Sequence, residues 1–211
     1  MTSQRLFTSH LGLLVPLLLI SIFSLIPELS GELRYQRNEI LIGEWWRIYS
    51  GQLGHMSINH LLLNLGGLVI FWLLFSRTTS STIWLLVIAL TMTTTGLGLL
   101  WLSPQLEWYL GFSGVLHALF FCALIFELKL GRRSTTIPLL MLMLAKLTWE
   151  MLIGATPGSA ELIGGNVVVD AHLYGALSGI AIATLIPSRL IRSQHSHPDQ
   201  NGLHPIERHF S

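Results

Sequence analysis

Apolar positions along the chain gather into six nearly continuous runs, at about 10–29, 57–76, 82–103, 113–130, 135–154 and 168–187. Roughly 17–25 apolar residues in helical conformation cross the hydrocarbon core of a bilayer. The pattern therefore predicts an all-α polytopic membrane protein with six transmembrane helices. The first run is short and ends at Pro27-Glu28, which raises the possibility of a signal peptide. Only Arg5 precedes it and no small-x-small cleavage site follows, so it is expected to stay as a span. Residues 1–194 make one helical domain, and the polar, proline-broken stretch 195–211 is expected to be a disordered cytoplasmic tail.

Composition agrees with the pattern. Of 211 residues, 51% are apolar and 11% charged, where soluble domains carry about a quarter charged. Mean hydropathy is +0.60. So few charges cannot cover a water-facing surface, and the lipid bilayer must be much of the solvent. A formal charge of +1 gives no reason to expect nucleic acid. Cys122 is the single cysteine, which excludes an internal disulfide. Basic residues decide the orientation. One set of flanks holds Arg5, Arg77, Lys129, Arg132, Arg133, Arg189, Arg192 and Arg208, while the other holds Arg34, Arg37 and Arg47 among many acids. By the positive-inside rule both termini are cytoplasmic and the 30–56 loop lies outside.

Polar side chains inside spans are expensive, and four clusters stand out. His55, His60 and Asn64 open the second run; His60 and Asn64 are four apart and share a helix face. A plain helix entrance in the polar interface is the alternative reading. The five-residue step from His55 to His60 is a poor metal spacing, and no metal or cofactor is expected. Gly111-Phe112-Ser113-Gly114, followed by His117, opens the fourth run. There the backbone N–H groups of a helix start lack intrahelical partners and can hold an oxyanion. An N-cap serine among small packing residues would look the same. His172, Gly175 and Gly179 lie along one face of the sixth run, where small residues let a neighbouring helix approach closely. Lys146 and Glu150, four apart in the fifth run, can neutralise each other in lipid, and a role in substrate contact is the alternative. His60, Asn64, Ser113 and His172 all fall in the outer half of their spans, at one depth drawn from three helices.

From about Glu44 to Gly179 the order of these motifs resembles the rhomboid intramembrane serine proteases. The resemblance covers Trp46-Arg47, H-x-x-x-x-H-x-x-x-N from His55 to Asn64, G-x-S-G from Gly111 to Gly114, and A-H-x-x-G-x-x-x-G from Ala171 to Gly179. It implies a six-transmembrane-helix rhomboid-like core, with Ser113 as nucleophile and His172 as its base. His60 and Asn64 would donate to the oxyanion, and Trp46-Arg47 would fix the outer loop. Many members carry a tyrosine four residues after the nucleophile; here that place is His117. With A-K-L-T-W-E at Ala145 to Glu150 and A-H-L-Y-G at Ala171, this departure is similar to the rhombosortase subgroup. Such bacterial enzymes are paired with proteins bearing a Gly-Gly tag, a hydrophobic helix and a basic tail. No acid is expected to orient His172, since Asp170 falls on a different face, so the sequence predicts a Ser-His dyad. The implied partners are membrane proteins with a helix-breaking, glycine-rich cut site, met in a bacterial inner membrane. The alternatives are an inactive relative that binds membrane clients and a polytopic transporter.

Overall fold

The computed structural model describes residues 26–191. The tail 195–211 lies outside the described residues, as does the predicted first span apart from 26–29. The 30–56 segment, expected as a loop, is instead folded. It contains α1 (Pro27–Leu33), β1 (Tyr35–Gln36), α2 (Arg37–Leu41) and α3 (Arg47–Leu53). Beyond it follow α4 (Ile58–Phe75), α5 (Ser81–Leu102), β2 (Trp108–Tyr109), α6 (Ser113–Lys129), α7 (Arg133–Leu152), α8 (Ser159–Ile163) and α9 (Val169–Leu185). The strands correct a purely helical expectation in a small way, since β1 pairs antiparallel with β2, Tyr35 opposite Tyr109. Pairing there satisfies backbone groups of two segments that are not helical.

Among the described helices, α4, α5 and α7 are long and apolar enough to cross a membrane. The runs expected at 113–130 and 168–187 coincide with α6 and α9, but each is only 17 residues. At 1.5 Å per residue that is about 26 Å, at the short end of what crosses a hydrocarbon core of about 30 Å. For α6 the reason is visible. Most of its residues are buried, from Gly114 near its start to Glu127 near its end, so protein encloses it on all sides.

Small residues set how α6 meets α9. A Cβ added to Gly175 would stand 2.0 Å from the Gly114 carbonyl oxygen, and one added to Gly179 would stand 2.2 Å from that of Ala118. The pairs advance together along both helices, which makes α6 and α9 parallel. Helix α5 runs the other way along α9, with Ser103 bonded to Asp170 at 2.5 Å and Thr94 to Ser178 at 2.7 Å. At the end remote from Ser113, Phe71, Phe75, Trp84, Phe120 and Phe126 form an aromatic cluster. Lys129 closes that end by donating to the carbonyls of Ala183 and Ile186.

Arg47 organises the 30–56 segment. Its buried guanidinium reaches the Glu44 carboxylate and the carbonyls of Glu32 and Arg34, and it lies 4.6 Å from the centre of the Trp46 ring. Trp45, Trp46, Tyr49, Trp101 and Trp108 are exposed around the same end. Amphipathic rings of this kind favour a membrane–water interface.

Since Gly175 faces backbone rather than a movable side chain, Gly175→Ala forces α6 and α9 apart. We expect a loss of about 1–3 kcal/mol in detergent unfolding titrations, with a parallel loss of any activity that needs Ser113 against His172.

Candidate active site

The α6–α9 contact carries Ser113 and His172 to each other. Ser113 is the first residue of α6, whose entry uses no side-chain cap. Its Oγ meets His172 Nε2 at 2.8 Å, which sets aside the reading of Ser113 as a capping serine. Gly111 turns the chain into the helix with φ +148°, a conformation that L side chains rarely adopt. The Tyr109 hydroxyl donates to the Gly111 carbonyl and fixes that turn. Burial pushes the Tyr109 phenol up to about 12, a rise partly offset by hydrogen bonds with Ser113 and the Gly114 backbone. Nothing in the apolar pattern signals Tyr109; only the β1–β2 pairing brings it there.

Helix α4 supplies the facing wall. Ser57 caps it, accepting from the His60 N–H at 3.2 Å, and its own hydroxyl donates to the Ile163 carbonyl at 2.8 Å. His60 Nδ1 accepts the Met56 N–H at 3.4 Å, which leaves the ring proton on Nε2. That nitrogen is 3.1 Å from where a Gly111 Cβ would be, so a side chain at 111 would collide with it. Asn64, one turn on, is buried, and its Nδ2 has no hydrogen-bond partner among the described residues. Unpaired buried donors are rare in folded proteins. His55 stands edge-on to His60, ring centres 5.0 Å apart.

The expectation that no acid orients His172 is corrected. Glu150 Oε2 lies 2.9 Å from His172 Nδ1, on the ring nitrogen opposite Ser113. Its other oxygen, Oε1, accepts from Lys146 at 2.6 Å, so the expected Lys146–Glu150 pair does form. Lys146 Nζ also meets His117 Nε2 at 3.1 Å. His117 stacks on His172, ring centres 4.1 Å apart and 15° from parallel, and its Nδ1 meets the Ser113 carbonyl at 2.7 Å. Asp170 is turned away, accepting from Ser103. The signal for Glu150 was present, because an acid within a span rarely lacks a function. Its i,i+4 lysine explained it too easily.

His117, Glu150 and His172 place nitrogen and oxygen ligand atoms within 4.8 Å of one another, a composition that suits a metal ion. The Lys146 ammonium already bridges two of the three, and a second cation beside it would be repelled. A cavity of about 250 Å³ opens beside the turn that leads into α6, lined by Met56, Gln105, Glu107, Trp108, Leu110 and Asn166 among others.

These elements define a helical membrane protein with a serine and a histidine in contact inside the helix assembly. The family model of the Rhomboid domain matches residues 42–189, most of the chain. The protein belongs to the rhomboid family, whose members act on membrane proteins within the bilayer. Comparison with curated proteins finds no match.

Burial, reinforced by the charge His60 can carry, pushes the His55 pKa down to about 3. An unfolded histidine titrates near 6.5. Between these values the unfolded chain binds a proton that the folded chain refuses, so stability falls as pH drops through this window. Unfolding midpoints measured from pH 7 to pH 4 should decline, and His55→Gln should flatten the decline.

Proposed function

We propose that the chain is an intramembrane serine endopeptidase that cuts transmembrane or membrane-anchored proteins near the outer face of the membrane. The 2.8 Å contact of Ser113 Oγ with His172 Nε2 carries this reading. A serine hydroxyl attacks effectively only when a base takes its proton, and neutral histidine does so near physiological pH. His172 Nε2 accepts the proton as Oγ bonds to the scissile carbonyl carbon. The resulting oxyanion receives hydrogen bonds from Asn64 Nδ2, His60 Nε2–H and the Ser113 backbone N–H. His172 then gives the proton to the leaving amine, and an acyl group remains on Ser113. A water molecule activated by the same imidazole hydrolyses it.

The substrate has to present an unwound backbone, because an intact helix keeps its carbonyls bonded within itself. Small, helix-breaking residues such as a glycine pair meet that need. The run from Gly111 to His117, with histidine in place of the usual tyrosine, supports a rhombosortase-type enzyme that removes Gly-Gly-type carboxy-terminal sorting anchors. The basic flanks support both termini in the cytoplasm of a bacterium, with the site opening to the outer side of its inner membrane.

A fluorophosphonate probe should label the purified protein, and Ser113→Ala should abolish the label. Labelling that persists in that variant would exclude Ser113 as nucleophile; a folded but unlabelled parent would favour a client-binding relative. Asn64→Ala should retain the label yet cleave about 10²–10³-fold more slowly, as loss of one oxyanion donor typically does. In liposomes, a Gly-Gly-tagged anchor should be cut faster than the same anchor with both glycines changed to leucine. Equal rates would overturn the substrate assignment while leaving the protease assignment intact.

A further inference from the structure

The contacts around His172 form a circuit, in which Ser113 is both the first member and the last. Ser113 Oγ meets His172 Nε2 at 2.8 Å, and His172 Nδ1 meets Glu150 Oε2 at 2.9 Å. Glu150 Oε1 accepts from Lys146 at 2.6 Å, Lys146 meets His117 Nε2 at 3.1 Å, and His117 Nδ1 returns to the Ser113 carbonyl at 2.7 Å. An ammonium group only donates and an ionised carboxylate only accepts. His117 Nε2 must therefore accept from Lys146, and the His117 proton sits on Nδ1 and donates to the Ser113 carbonyl. On the other arm, Glu150 Oε2 accepts, so the His172 proton sits on Nδ1. The lone pair of His172 Nε2 then faces the Ser113 hydroxyl, the arrangement that proton removal requires. One lysine and one glutamate thus assign every proton in the circuit.

We infer that Glu150 and Lys146, both on α7, are positioning residues for His172, and that His117 completes the ring as a neutral stacking partner. The inference rests on the protease reading above. Neutralising two charges in lipid would need only the bond between Lys146 and Glu150 Oε1. It would not need Glu150 Oε2 on the base or Lys146 on His117. Each additional contact has a use in the reaction. Attack makes His172 an imidazolium, which the Glu150 carboxylate stabilises and keeps oriented, as the acid of a serine-protease triad does. With its Nε2 lone pair engaged by Lys146, His117 presents an uncharged ring to that imidazolium at 4.1 Å. The charged and titratable groups that face His172 are His117 from α6, Lys146 and Glu150 from α7, and His60 from α4; Asp170, on its own helix, is held by Ser103. The side chain of Glu150 is 3% exposed and that of Lys146 is 41% exposed, so Lys146 can be shortened with little loss of packing.

The test compares the full-length parent, Glu150→Gln and Lys146→Met in liposomes, with cleavage followed across pH and Ser113 labelled in parallel. Glu150→Gln keeps the shape but removes the anion. Its kcat should fall about 10²-fold or more with KM within about threefold, and its acid limb should move to lower pH. Lys146→Met leaves Glu150 unshared. Its kcat should fall about tenfold, and its acid limb should move the other way, to higher pH. Opposite displacements from two neighbours are not what a purely structural pair would produce. A parent that is labelled and active, beside variants with kcat within twofold and unmoved acid limbs, overturns the ring. A parent that is neither labelled nor active overturns the protease reading, and the ring with it. Should Glu150→Gln fail to fold, the Lys146→Met profile decides alone.

Discussion

Helices in lipid have no hydrophobic drive to come together, so they associate through close packing and the polar bonds that it permits. In this protein the backbone contact of α6 with α9 is that packing, and the rest of the site depends on it. Gly175 and Gly179 let the Gly114 and Ala118 carbonyls approach to distances that any Cβ would occupy. The same approach fixes the register of two parallel helices, and the register places Ser113 against His172. No separate device is needed to bring the two side chains together. At the far end Lys129 of α6 donates to the Ala183 and Ile186 carbonyls and ties the two helices together there.

A second constraint acts on charge. Lys146 and Glu150 cancel, which lets two ions lie inside an apolar assembly, where unpaired charges are strongly disfavoured. Before attack the circuit around His172 is neutral overall. In the proposed reaction, proton transfer from Ser113 would add a positive charge beside the existing Glu150 carboxylate. That charge would arise next to a group already oriented for it, with little reorganisation required.

Much of this was legible from the sequence. Ser113, His172, His60 and Asn64 were visible because polar residues within apolar runs are few, and their depths could be compared by counting. The glycines of α9 were visible from their four-residue spacing. Glu150 was visible as an anomaly, but its contact with His172 was not, because Lys146 at i+4 spacing accounted for it locally. Only the docking of α7 against α9 shows that the second carboxylate oxygen reaches another helix. Tyr109 and the folded 30–56 segment were hidden for a related reason. They depend on the β1–β2 pairing and on Arg47 gathering carbonyls from residues 32 and 34, and neither leaves a periodic trace. The apolar runs expected at 113–130 and 168–187 match α6 and α9 to within one or two residues at each end.

The circuit also restricts how relatives of this chain can diverge. A tyrosine at position 117 would offer Lys146 a hydroxyl in place of a ring nitrogen and would have no second nitrogen to return to the Ser113 carbonyl. An apolar residue at 146 would leave Glu150 with one neighbour, and an apolar residue at 150 would strand the lysine in lipid. Each single change leaves at least one neighbour with a contact fewer. Substitutions at positions 117, 146 and 150 are therefore coupled, since a change at one alters what the other two contact.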